Sequence, residues 1–164
     1  MKKSMEKEIR IGRPFGGTGF LWNKRLAYSV KPRVEYANER VTVLEINDLD
    51  FKILCFNVYF PFYDSSKIDE QMATYRDTIG FIDSVMNSNA GCQFLVLADF
   101  NCNIYHSTHP FSMLILDLME RRNLFSCFDV DTSFDPADHW TRTNFQHNTN
   151  RGTLIDGILA SDLL

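Results

Sequence analysis

The chain has 164 residues, 45% hydrophobic and 23% charged, with a formal net charge of −4. Those values fit one globular domain of the α/β or α+β kind, and no apolar run is long enough for a membrane span. The acid surplus excludes a protein that grips nucleic acid by bulk charge, but not a metal-dependent nuclease, whose site needs acids to hold cations. Fourteen Phe, six Tyr and two Trp supply ample apolar area for a core. Met1–Glu8 is charged and lacks an apolar signal core, which points to an intracellular, non-secreted protein. Four cysteines without C-x-x-C spacing agree with a reducing compartment, and Cys55, in an apolar run, reads as a core residue.

In chain order, residues 10–22 read as a Gly-rich loop leading into a strand at Phe20-Leu21-Trp22. Gly16-Gly17-Thr18-Gly19 lacks the following Lys-Ser/Thr and the strand–loop–helix setting of a phosphate loop, so it reads as backbone freedom only. Residues 40–47 alternate and are β-branched, 47–50 form a turn, and 51–60 return as a second strand that Pro61 stops. That second strand is apolar on both faces, which places it between layers. Residues 67–87 carry one apolar stripe (Ile68, Met72, Tyr75, Ile79, Ile82, Val85, Met86) and predict a helix with Ser65 or Ser66 as its cap. An apolar strand at 93–98 follows, then a helix at 110–122 with Pro110 in its first turn and Ser107 or Thr108 as cap. An acidic, aromatic loop at 128–139 and short strands near 140–144 and 153–160 complete the pattern. With no repeat or linker, residues 1–164 read as a single domain.

The chemistry centres on Asp99 and Asn101, two residues apart where the buried strand 93–98 ends. In an extended segment such a pair shares one face. One side chain could bind a metal or take a proton while the other donates to an oxyanion; a simple Asp/Asn turn is the alternative. Tyr59 stands near a strand end, where its hydroxyl could reach a phosphate or simply complete a core. Asp156, between Ile155 and Ile158, needs a hydrogen bond, a cation or an imidazolium if it is buried. His106 and His109 have the spacing of a metal pair but sit before a helix, where capping or solvent accounts for them. Asp129, Asp131 and Asp135 do not form a calcium loop, because Phe134 and Trp140 occupy its glycine and glutamate positions.

Together these segments resemble the endonuclease/exonuclease/phosphatase superfamily, most closely the apurinic-type endonuclease domain of non-LTR (LINE) retrotransposons. The residues that carry the resemblance are Gly12–Trp22, Glu39-Arg40-Val41, Phe56–Pro61, Leu97–Asn101, Trp140-Thr141 and Leu154–Asp156, with Ala98 in place of the usual glycine. The resemblance implies a four-layered α-β-β-α sandwich, a divalent metal (Mg²⁺ or Mn²⁺) and hydrolysis of a DNA phosphodiester. It implies that Asp99 orients or activates water, Asn101 and Tyr59 contact the phosphate, Asp156 orients a histidine, and Thr141 and Thr153 touch DNA. Asp99 and Asn101 are the only metal-ligand candidates it leaves. It further implies nuclear residence and a reverse transcriptase domain in the parent polypeptide.

Two family motifs have no counterpart. An early Asn and a metal-binding Glu precede the Gly-Gly segment in the family, where here only Met1–Ile11 stands; a late Ser-Asp-His is replaced by Ser161-Asp162-Leu163-Leu164. The expectation is therefore a partial domain, weakly active or inactive alone, since losing one member of a catalytic unit costs orders of magnitude in rate. A phosphatase of the same superfamily and a non-catalytic remnant or interaction module are the competing readings.

Overall fold

The computed structural model describes residues 17–26, 29–105, 108–130, 142–143 and 152–161. Its frame is a six-stranded sheet with two long helices. Strands β1 (Val30–Pro32), β2 (Val41–Asn47) and β3 (Lys52–Tyr59) pair antiparallel in succession. Helix α1 (Ile68–Ser88) carries the chain to β4 (Gln93–Asp99), which pairs parallel with β3. A parallel pair needs such a crossover, because a tight turn cannot reverse the chain twice. Helix α2 (Pro110–Arg122), β5 (Leu124–Ser126), a short ribbon of β6 (Arg142–Thr143) with β7 (Gly152–Thr153), and β8 (Asp156–Ser161) follow. The sheet order is β1-β2-β3-β4-β8-β5, with β8 antiparallel to both neighbours.

The helices cover one face. Leu54, Phe56 and Val58 of β3, Val96 and Ala98 of β4, and Leu159 of β8 share one buried cluster with Tyr75, Ile79, Ile82, Val85 and Met86 of α1 and Phe111, Ile115 and Leu118 of α2. The expected apolar stripe of α1 is thus its sheet-facing side. Asp83 of α1 binds both Arg121 and Arg122 of α2, and Arg122 Nη2 also donates to the Asp83 carbonyl at 3.0 Å, tying the two helices together. Burial pushes the Asp83 carboxyl up, but the hydrogen bonds from Arg122 and Arg121 outweigh it and hold the group below the usual carboxylate range. On the opposite face, Leu44 and Cys55 are also buried, as expected for a strand between layers. Burial raises the Cys55 thiol.

Several local expectations change. Phe20–Trp22 is irregular rather than a strand: Leu21 is fully exposed, and the segment is held by Asn57 Nδ2 donating to the Gly19 carbonyl at 2.8 Å, not by a ladder. A short 3₁₀ turn, Ser65–Lys67, precedes α1 and is capped by Asp64, which accepts from Ser66 N at 2.9 Å; α1 itself starts after Lys67 without a side-chain cap, where Ser65 or Ser66 was expected. Helix α2 is capped by His109, whose Nδ1 accepts from Phe111 N at 3.3 Å, rather than by Ser107 or Thr108. The strand expected at 153–160 is two strands, because the chain changes partners at Leu154-Ile155: β7 joins β6, while β8 joins the main sheet. Most of the acidic loop at 128–139 lies outside the described residues.

Candidate active site

Three of the sequence candidates meet on the face away from the helices. In the strand register Tyr59 lies opposite Asp99, and Asp99 opposite Asp156, forming a row across β3, β4 and β8. Ladder partners place their side chains on the same side of the sheet, and their Cβ atoms stand about 5 Å apart. Because Val58, Ala98 and Leu159 belong to the helix-facing core, strict alternation turns Tyr59, Asp99 and Asp156 to the other side. The preceding row, Asn57–Leu97–Ile158, forms the floor beside them. A cleft of about 500 Å³ lies over both rows, with Gly17–Gly19 and Phe128 completing its walls.

Asn101 does not join this row. Strand β4 ends at Asp99, and Asn101 adopts a left-handed backbone with φ of 49°. Its amide N–H donates to Asp99 Oδ1 at 2.9 Å, and its Nδ2 donates to the Phe60 carbonyl at 2.7 Å. Asp99 and Asn101 therefore form a turn that clamps the ends of β3 and β4 together, where an extended i, i+2 pair was expected. Asp156 differs as well. It is exposed at the start of β8, so its carboxylate carries little burial cost to offset. Thr141 lies outside the described residues, and Thr153 is placed by its backbone alone, opposite Arg142.

The row rests on an aromatic stack that sequence reading missed as support for the site. Phe60 stacks on Tyr75 at 4.5 Å and on Phe100 at 5.8 Å, and Tyr75 stacks on Phe111 at 4.2 Å. The buried Tyr75 hydroxyl donates to the Phe100 carbonyl, fixing the turn from behind; burial, reinforced by Cys102 and Asp99, raises that hydroxyl far above its ordinary value. Phe60 N donates to the Asp99 carbonyl at 3.0 Å and Phe100 N to the Ile155 carbonyl at 2.6 Å, so all three strand ends are linked beyond the row itself. Gly157 makes room for this: a Cβ there would lie 2.8 Å from Phe100 Cε2. The Asp156-Gly157 dipeptide was the available signal.

The described lining of the cleft has two carboxylates, Asp99 and Asp156, and no cation. Like charges directly opposite in a ladder repel, and a phosphodiester brought beside them would add a third negative charge. That donor set fits a divalent cation of the Mg²⁺ type, which is commonly held by one or two carboxylates plus substrate phosphate and water. No group of three or more His, Cys, Asp or Glu suited to a metal occurs among the described residues, so the protein would furnish only part of such an ion's shell.

No protein-family profile and no curated protein sequence matches the chain. Solved structures do. The endonuclease domain of TRAS1, a telomere-specific non-LTR retrotransposon, superposes with a TM-score of 0.60 at 10% identity, covering 81% of this chain and 55% of that one. AP endonuclease LMAP from Leishmania major gives 0.56 at 15% identity, over 76% of this chain and 46% of its own. Truncated Caenorhabditis elegans TDP2 gives 0.52 at 12% identity, over 77% and 48% respectively. The chain thus spans about half the length of the proteins it matches. At these identities the likeness is one of architecture, and it agrees with the observed mixed sheet and its helices: the chain has the fold of the endonuclease/exonuclease/phosphatase superfamily.

Proposed function

We propose that the chain carries part of the site of a metal-dependent phosphodiesterase that nicks DNA, in the manner of a non-LTR retrotransposon endonuclease domain. The observation that supports this best is the Tyr59–Asp99–Asp156 row, on one face of three adjacent strands and lining one cleft. Asp99 and Asp156 would hold Mg²⁺ or Mn²⁺, and the bound ion would neutralise the phosphate and acidify water. Asp99 orients the attacking water and accepts its proton. The Tyr59 hydroxyl donates to a phosphoryl oxygen. Asn101 positions Asp99 through its backbone N–H, and with one Nδ2 hydrogen on the Phe60 carbonyl the second would serve that oxygen. Asp156 is also the candidate to orient a histidine, although no histidine lines the cleft among the described residues. Thr141 and Thr153 are the proposed DNA contacts near the β6–β7 ribbon. A reverse transcriptase domain in the parent polypeptide and nuclear residence belong to the same proposal.

Because the family's Glu and Ser-Asp-His motifs have no match in these 164 residues, slow turnover is expected, orders of magnitude below that of a complete site. Metal binding therefore provides the first test. Saturating Mg²⁺ should raise the unfolding temperature of the wild type, by linkage to the folded state, but not that of Asp99→Asn or Asp156→Asn. Supercoiled plasmid nicking, however slow, should vanish with a chelator and with Asp99→Ala. Nicking that survives Asp99→Ala removes the reading, and phosphate release from monoesters without nicking transfers it to a phosphatase.

A further inference from the structure

A second cleft, of about 410 Å³, adjoins the first at Tyr59, which lines both. Its wall includes Phe62, an exposed aromatic residue at 46% accessibility. The segment bearing Phe62 is held at its base, since Phe60 is fastened through both its N–H and its carbonyl to Asp99 and Asn101. Gln71 also lines the cleft, only 8% exposed, and its Oε1 accepts from Asp64 N at 2.9 Å. Charge decides what this cleft suits. Arg40 and Lys67 are set against Glu39, Asp64 and Glu70, so the lining carries no surplus positive charge to attract a phosphate. A neutral, flat, polar-edged group fits it better, with an aromatic face at Phe62 and a fixed amide at Gln71.

We propose that this cleft receives the nucleobase adjoining the scissile phosphate, stacked on the Phe62 ring with its polar edge toward Gln71. The phosphate itself stays on the Tyr59–Asp99–Asp156 side. Tyr59 then divides the phosphate from the base, and the cleft makes binding depend on the presence of a base beside the cut, not only on the backbone. Stacking of this kind tolerates any base, because each has a π-face. The inference rests on the phosphodiesterase reading above.

The test uses dinucleotides joined by one phosphorothioate, with 2-aminopurine on the 5′ or the 3′ side, and the matching compounds in which the labelled base is replaced by hydrogen. In Mg²⁺ the wild type should quench one of the two labelled isomers and bind it about tenfold more tightly than its abasic counterpart. Phe62→Ala should abolish both the quenching and that preference, and Phe62→Tyr should retain them. Asp99→Asn should weaken labelled and abasic ligands equally. If Mg²⁺-dependent binding persists in Phe62→Ala with quenching and preference unchanged, the cleft assignment is overturned and the phosphodiesterase reading stands. If neither ligand binds in a Mg²⁺-dependent way, both are overturned.

Discussion

The two faces of β3, β4 and β8 are made from alternate residues of the same strands, yet they do different work. On the helix side, Phe56, Val58, Val96 and Leu159 are almost wholly buried against α1 and α2. On the other side, Asn57, Tyr59, Leu97 and Asp99 are half-buried and Asp156 is exposed. Apolar burial on one face stabilises the sheet; the strand ends on the other can then carry the carboxylates Asp99 and Asp156 outside the apolar core. A site built on strands, with its turn braced by Asn101 and Tyr75, is held more firmly than a loop could hold it.

The comparison breaks most visibly at Phe56. Phe56→Ala should cost about 3–5 kcal/mol in urea unfolding while leaving the Mg²⁺ affinity of the folded fraction unchanged; a loss under about 1 kcal/mol would mean that the helix side is not the stabilising side. Gly157 sharpens the contrast, because it faces the core but follows Asp156. Gly157→Ala should cost about 1–3 kcal/mol through overpacking against Phe100, and should also weaken Mg²⁺ binding as the strand ends shift. Loss of stability with unaltered metal affinity would show that the faces are uncoupled there.

The smallest effect is expected at the helix–helix clamp, remote from the cleft. Asp83→Asn should lose about 1 kcal/mol at neutral pH. The Asp83 carboxyl is depressed in the folded chain, so its contribution is complete above the unfolded carboxylate value, about 4. It fades as pH falls through the lower folded value. Wild type and Asp83→Asn should therefore converge in acid, as read by unfolding at a series of pH values, with nicking unaffected at neutral pH.

Much of this was legible along the chain. The bounds of β2, β3, β4 and both helices follow from alternation, a 3.6-residue stripe and Pro at Pro61 and Pro110, all of which are local signals. The caps differed, because His109 accepts from a first-turn N–H of α2 and Asp64 from one in the 3₁₀ turn before α1, which itself has no side-chain cap. At the site, the residue types were readable but not their roles. The positive φ of Asn101 removes it from the face that Asp99 and Tyr59 share, and a pattern of periods two and 3.6 holds no information about a left-handed residue.

By itself the sequence determined β2, β3, β4 and both helices, the apolar face of each and the acids at the strand ends, because those depend on composition and spacing within a few residues; the short strands β1 and β5 and the division of residues 153–160 between β7 and β8 depend on pairing with distant strands. Only the tertiary structure decided that residues 59, 99 and 156 stand in one row. That depends on parallel pairing of β3 with β4, antiparallel pairing of β4 with β8, and the register of each. Register is fixed by the packing of Phe56, Val96 and Leu159 against distant helices, and a slip of one residue would turn every carboxylate to the other face.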